Sequence, residues 1–195
     1  MNACGKYFVD RIGDRLSRRE RKVIEHPPFP RAAVLVPLFE KDASCHLLFT
    51  MRSHQVRHHR GQISFPGGAF DEEDADLQRT ALREAFEEIG LREREVQVLG
   101  ILDDIITTSE FIVTPFVGVF PYPYLFKVSP FEISELIEVP LASLLDPGFF
   151  GEREILDNGL KRIVESYQYQ HHIIWGATAR ILKQFLDLIT SPKQT

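Results

Sequence analysis

Cysteine is scarce in this chain of 195 residues, which has only Cys4 and Cys45. Two cysteines are too few for a disulfide framework, which fits a reducing interior. Long apolar runs are also missing. The stretch Ala32 to Phe39 falls far short of the roughly 20 residues that a membrane helix needs. The N-terminus lacks the apolar core of a secretory signal. Arg11, Arg15, Arg18, Arg19 and Arg21 resemble a transit peptide in arginine content, but Asp10, Asp14 and Glu20 stand among them and argue against one. The closing Pro-Lys-Gln-Thr is not a peroxisomal address. No internal repeat or low-complexity tract is present. The formal net charge is −5, so there is no wide basic surface of the kind nucleic-acid binding usually needs. These absences lead to the expectation of a soluble, cytoplasmic protein with no nucleic-acid or membrane partner.

What is present suits one folded unit. Hydrophobic residues make up 44% of the chain, and its length allows a single core, so residues 1–195 are expected to form one domain. Phe8, Ile12 and Leu16 recur at helical spacing, which predicts an amphipathic helix over about Tyr7 to Arg18 within an N-terminal segment 1–25. The linker His26-Pro27-Pro28-Phe29-Pro30 follows. Ala32 to Phe39, His46 to Met51, Val96 to Ile101, Phe111 to Phe120 and Ile133 to Val139 read as strands. Leu141 to Leu145 reads as a helical turn, and Thr178 to Ile189 as a last helix.

The most informative stretch is Arg83-Glu84-Ala85-Phe86-Glu87-Glu88-Ile89-Gly90-Leu91, which stands after the turn Phe65-Pro66-Gly67-Gly68. On a helix Glu84, Glu87 and Glu88 occupy i, i+3 and i+4, so their carboxylates share a face. Each like-charged pair costs a bare helix roughly 0.2–0.5 kcal/mol, which a divalent cation would relieve. Such hard oxygen ligands suit Mg²⁺ or Mn²⁺ held against substrate phosphate. A solvated acidic face is the bland alternative. Gly90 stands where a helix stop belongs, and Arg83 can pair with Glu87.

These residues resemble the signature of the Nudix hydrolases: Gly, five residues, Glu, seven residues, then Arg-Glu-aliphatic-x-Glu-Glu-x-Gly-aliphatic. Gly68 is in register at its front. One departure is clear. The acid after five residues is Asp74, and eight residues rather than seven separate it from Arg83. The resemblance implies that this acid supports the loop and the arginine, with a small bulge before the helix. The alternative is that Asp74 is the helix N-cap, the chain entering the helix near Leu77.

Upstream, Leu48-Phe49-Thr50-Met51-Arg52-Ser53, Arg57, Gly61 and Phe65-Pro66-Gly67-Gly68 resemble the pattern of the coenzyme A diphosphatase branch, with Phe49 in place of a leucine. Independently of that likeness, Arg52, His54, Arg57, His58, His59 and Arg60 make an acid-free basic stretch suited to a polyanionic ligand. Arg52 and Arg57 are the stronger candidates, because guanidinium grips phosphate oxygens bidentately. Zinc at His58 and His59 is not expected, since neighbouring side chains rarely converge.

The family resemblance implies an α/β (α+β) fold, a Nudix-type α/β/α sandwich with a mixed β-sheet between helices and the Nudix loop-helix at residues 65–91. It also implies a metal site of Glu84, Glu87, Glu88 and the Gly67 carbonyl holding Mg²⁺ or Mn²⁺, with Arg83 orienting the acids. Substrate would be bound at Arg52, Arg57, Gly67 and Gly68. A further carboxylate from outside the box is implied, with Glu132 first, Glu135 second and Glu110 third. Trp175 reads as core packing and Thr178 as a helix start. The implied reaction is metal-dependent hydrolysis of the diphosphate of coenzyme A, or a derivative, to adenosine 3′,5′-bisphosphate and 4′-phosphopantetheine, by a monomer or homodimer. The alternatives are a Nudix hydrolase of NADH, ADP-ribose or a nucleoside triphosphate, and a non-catalytic nucleotide-sensing module.

Overall fold

The computed structural model describes residues 5–26, 28–55, 60–157 and 159–191. Phe8, Val9, Ile12 and Leu16 form the buried stripe of the first helix, α1 (Lys6–Arg18), matching the sequence spacing. A two-residue turn with positive φ at Asp42 and Ala43 then joins β1 (Arg31–Lys41) to β2 (Ser44–Arg52). Short strands β3 (Ile63–Ser64) and β4 (Gly67–Ala69) lead into α2 (Leu77–Ile89). Next come β5 (Gln97–Ile101), β6 (Ile105–Ile106), β7 (Ile112–Val119) and β8 (Ile133–Pro140), with the short helix α3 (Leu141–Leu144) directly after. The chain continues through β9 (Phe150–Asp157), β10 (Leu160–Tyr169) and β11 (His172–Trp175) to α4 (Gly176–Thr190).

Strands β1 to β8 form one eight-stranded mixed sheet. β1 lies at its centre, antiparallel to β2 and β4 and parallel to β7. Its side chains therefore alternate between two cores. Ala33, Leu35 and Phe39 pack with Ala81, Ala85 and Ile89 of α2 on one face. Val36 and Leu38 pack with Ile12 and Leu16 of α1 and Leu182 and Phe185 of α4 on the other. The result is the expected α/β/α sandwich with a mixed sheet between helices. No helix among the described residues is long and apolar enough to cross a membrane.

The antiparallel sheet β9–β10–β11, like the short strands β3, β4 and β6, lies outside the strands expected from the sequence. Its first two strands carry exposed Glu152, Glu154, Lys161, Arg162 and Glu165, so most of the ribbon offers no alternating apolar face to read. The helix start also differs. Trp175 is only half-buried and α4 begins at Gly176, while Thr178 lies inside the helix, its buried hydroxyl donating to the Ile63 carbonyl at 3.0 Å. That tertiary bond explains a threonine where capping seemed its purpose.

Candidate active site

Helix α2 is fixed at both ends by local chemistry. Its N-cap is Asp76, not Asp74: the Asp76 carboxylate accepts from the Arg79 amide at 2.8 Å. At the other end Gly90 has φ 71°, and the amides of Gly90 and Leu91 bond back to the carbonyls of Phe86 and Ala85 at 2.8 and 3.3 Å. Between these stops the alanine face is pressed on the sheet. Glu84 and Glu88, one turn apart, are turned toward the Gly67-Gly68 strand. Entry at Leu77 agrees with the sequence reading.

Asp74 has the other role expected for it. It accepts two parallel bonds from Arg83, from Nε and Nη2, both at 2.9 Å, a third from the Thr80 hydroxyl at 2.8 Å and a fourth from the Asp71 amide at 3.2 Å. The Arg83 guanidinium, with Thr80 and the Asp71 amide, holds the Asp74 carboxyl down at about 2, against the opposing effect of burial. Ahead of α2 a turn is closed by the Asp74 amide, which donates to the Asp71 carbonyl at 3.0 Å. Arg83 then donates through Nη1 to Glu84 at 2.8 Å and Glu87 at 3.2 Å, and through Nη2 to the Ala69 carbonyl at 3.2 Å. One arginine thus joins the loop to two of the helix carboxylates. The Asp74–Thr80 bond spans six residues across a loop–helix junction and has no sequence motif of its own.

Glu88 is the most deeply placed of the three acids, only 3% exposed. Its Oε2 accepts from the Gly67 amide at 3.3 Å, and Arg52 Nη1 stands 3.6 Å from its Oε1. Burial pushes the Glu88 carboxyl up to about 8; Arg52 and the Gly67 amide oppose the shift, while Glu84 and Glu132 add to it. Burial likewise raises Glu84, against the Arg83 hydrogen bond and with help from Glu87 and Glu132. Glu87 is more exposed, at the rim.

Glu132 sits at the turn entering β8, where its carbonyl accepts from the Ser53 amide at 2.7 Å, and its carboxylate acts on both Glu84 and Glu88. Glu135, in contrast, faces His172, and Glu110 lies in the tight turn after Thr107 with φ 63°. Neither is among the groups that shift the α2 carboxyls. Arg57, His58 and His59 lie outside the described residues.

The Pro-Gly-Gly segment is required for space. A Cβ on Gly68 would stand 2.4 Å from the Glu84 carboxyl carbon, and one on Gly67 would stand 2.3 Å from the Ala33 carbonyl oxygen. Gly68→Ala is therefore expected to displace Glu84 and lower kcat about a hundredfold, the scale of a 1 Å misplacement. Its melting temperature should stay close to that of the parent, since the carboxylate can swing outward. A kcat within twofold of the parent would show that the Glu84 position is unimportant.

The donor set fits a hard divalent cation. Acids converge from α2 and the β8 turn, a glycine strand leaves room for one of them, and among the described residues Arg52 alone faces Glu88 with opposite charge.

The NUDIX domain model matches residues 29–158. A protein of Photorhabdus laumondii subsp. laumondii, described as an uncharacterized Nudix hydrolase NudL, is 38% identical over 174 residues, covering 85% of this chain and 92% of that protein. A protein of the same description from Salmonella paratyphi B is 38% identical over 154 residues, covering 79% and 80%. The crystal structure of a Nudix hydrolase from Alicyclobacillus acidocaldarius shares the fold with a TM-score of 0.53, at 19% identity over 85% of this chain and 93% of that one. The chain belongs to the Nudix family, hydrolases of nucleoside diphosphate derivatives that generally use divalent cations such as Mg²⁺ or Mn²⁺.

Proposed function

We propose that this chain, as one catalytic domain, hydrolyses the diphosphate of coenzyme A or a coenzyme A derivative. The observation that carries the reading is the meeting of two sequence motifs at one point. Arg52, from the Leu-Phe-Thr-Met-Arg-Ser run, stands 3.6 Å from Glu88 of the catalytic helix, and its buried Nε has no hydrogen-bond partner among the described residues. A buried guanidinium N–H without a partner is a donor waiting for an oxyanion.

In this reading Glu84, Glu87, Glu88 and the Gly67 carbonyl hold Mg²⁺ or Mn²⁺. The bound cation supplies charge neutralisation on the diphosphate and a lowered pKa for the attacking water. The chain's own residues do the rest. Arg52 and Arg57 grip phosphate oxygens and fix the substrate. Asp74 holds Arg83, which in turn fixes Glu84 and Glu87. Glu84 and Glu132 approach from opposite elements, and a carboxylate of this pair takes the proton of the attacking water.

The test is a panel of kcat/KM values on coenzyme A, acyl-coenzyme A, NADH, ADP-ribose and a nucleoside triphosphate. Coenzyme A or a thioester is expected to lead by at least about tenfold, the value of one well-made charge-assisted bond. Arg52→Ala should reduce kcat/KM on the preferred coenzyme A substrate by roughly ten- to a hundredfold on the same grounds. A panel led by NADH or ADP-ribose would keep the family chemistry and remove the coenzyme A assignment.

A further inference from the structure

A second set of metal-competent donors lies away from the carboxylate helix. Glu135 of β8, His171 at the turn between β10 and β11, and His172 at the start of β11 each bring one ligand atom within 4.8 Å of the others. His172 Nε2 is 3.4 Å from Glu135 Oε1. Zinc bonds of roughly 2.0–2.1 Å in a tetrahedron set neighbouring ligand atoms about 3.4 Å apart, so this edge already has the required span. His171, the third donor, is exposed.

Adjacent residues on a strand point to opposite faces, so two neighbouring histidines seldom serve one ion. Here the turn changes that. Gln170 takes φ 54°, and Tyr169 pairs with His172 across a two-residue loop, which leaves His171 outside the strand alternation. The two rings come together with centroids 3.9 Å apart.

A simple ion pair explains the cluster poorly. His172 is 4% exposed, and its Nδ1 is buried without a hydrogen-bond partner among the described residues. Nδ1 carries its proton in an imidazolium and in a ring bound through Nε2 alike, so that N–H does not separate the two states; the desolvation of a charge at 4% exposure does. A neutral ring keeps a lone pair for a metal.

We propose that Glu135, His171 and His172 form a binding site for a divalent d-block cation of the zinc class, separate from the α2 carboxylates. Two imidazoles and one carboxylate are borderline donors that favour zinc, copper or nickel, and they leave a fourth position for water or an outside ligand. The all-oxygen set on α2 favours magnesium or manganese. The two sites thus differ in metal class. The ion would tie the β10–β11 turn, which lies beyond residues 29–158, to the strand that follows Glu132. It would join the small sheet to the large one beside the candidate active site.

The experiment uses the full chain in saturating Mg²⁺, which occupies the α2 carboxylates, and titrates Zn²⁺ against a chromophoric chelator. One equivalent of Zn²⁺ is expected, with affinity falling by more than about a hundredfold in His171→Ala, beyond the roughly ten- to hundredfold that loss of a supporting group alone gives. Glu135→Gln should weaken binding in the same direction. Co²⁺ in place of Zn²⁺ should give a tetrahedral visible band in the parent and lose it in His171→Ala, whose exposed side chain can be removed without disturbing the core. Equal Zn²⁺ affinity in parent and His171→Ala overturns the site. So does a Zn²⁺ equivalent that disappears in Glu84→Gln while His171→Ala retains it. Neither result bears on the coenzyme A assignment, so the two readings fail independently.

Discussion

Replacing Glu88 by Gln is expected to lower kcat about a thousandfold while raising the melting temperature of the metal-free protein. The first effect follows from removing a charged oxygen ligand, since metal stabilisation of a transition state is worth several kcal/mol. The second follows from burial. The Glu88 carboxyl is raised from an ordinary 4.5 to about 8, so the folded chain binds its proton more tightly than the unfolded chain does. That preference is fully present below pH 4.5 and is lost as pH rises through about 8. At pH 8 the unfolded chain has released this proton and the folded chain only half of it, so the group opposes folding by an amount on the order of a few kcal/mol, and a neutral glutamine removes that opposition. Thermal melts in chelator should therefore separate parent and variant at pH 8 and bring them together toward pH 5. Adding Mg²⁺ should stabilise the parent more than the variant, because binding to the folded state alone raises stability by mass action. A variant that melts below the parent in chelator at pH 8 would contradict the burial argument.

Asp74→Asn is expected to act in the opposite direction on stability. Asp74 is a buried acid that receives two bonds from Arg83 and one from Thr80, and its side chain is 4% exposed. Breaking a buried pair by removing one partner costs about 3–5 kcal/mol. Arg83 retains Glu84 and Glu87, so the lower end applies, about 3 kcal/mol. For a chain of this length that is a fall of roughly 6–12 °C. The pH dependence carries the signature. The Asp74 pKa is depressed from 3.8 to about 2, so its contribution is present above 3.8 and disappears as pH falls through about 2. The gap between parent and variant should hold steady above pH 4 and close between about 4 and 2. Turnover should fall roughly ten- to a hundredfold, the usual effect of losing a group that orients a ligand. An unchanged melting temperature at pH 7 would show that Asp74 does not hold the loop.

Much of this arrangement is legible in the residues. The period of Phe8, Ile12 and Leu16 gives α1, and the Glu84, Glu87 and Glu88 spacing gives a helix with a carboxylate face. Gly90 marks the end of that helix because no other residue enters the left-handed region as cheaply. The apolar segments around Val36, Phe49 and Val117 give buried strands, because both faces of the central sheet are covered. Glu132 and Arg52 are named by motif, and folding brings both to Glu88.

What sequence spacing does not carry is contact made by folding. Both Asp74 and Asp76 are acceptable N-caps on paper. The three-dimensional path of the loop gives the cap to Asp76 and frees Asp74 for Arg83. Thr178 resembles a helix start, yet its hydroxyl is directed to the Ile63 carbonyl on a different strand. The β9–β10 ribbon hides because solvent covers most of both its faces. His171 and His172 are adjacent, and strand geometry argues against their convergence until the turn at Gln170 is seen.

The central claim is the cleavage of coenzyme A at its diphosphate, and product analysis in oxygen-18 water with Mg²⁺ tests it most directly. The account predicts adenosine 3′,5′-bisphosphate and 4′-phosphopantetheine, separated by chromatography, with the label on one of the two phosphates. Intact coenzyme A and thioesters, recovered from protein that does cleave NADH or ADP-ribose under the same conditions, would contradict it.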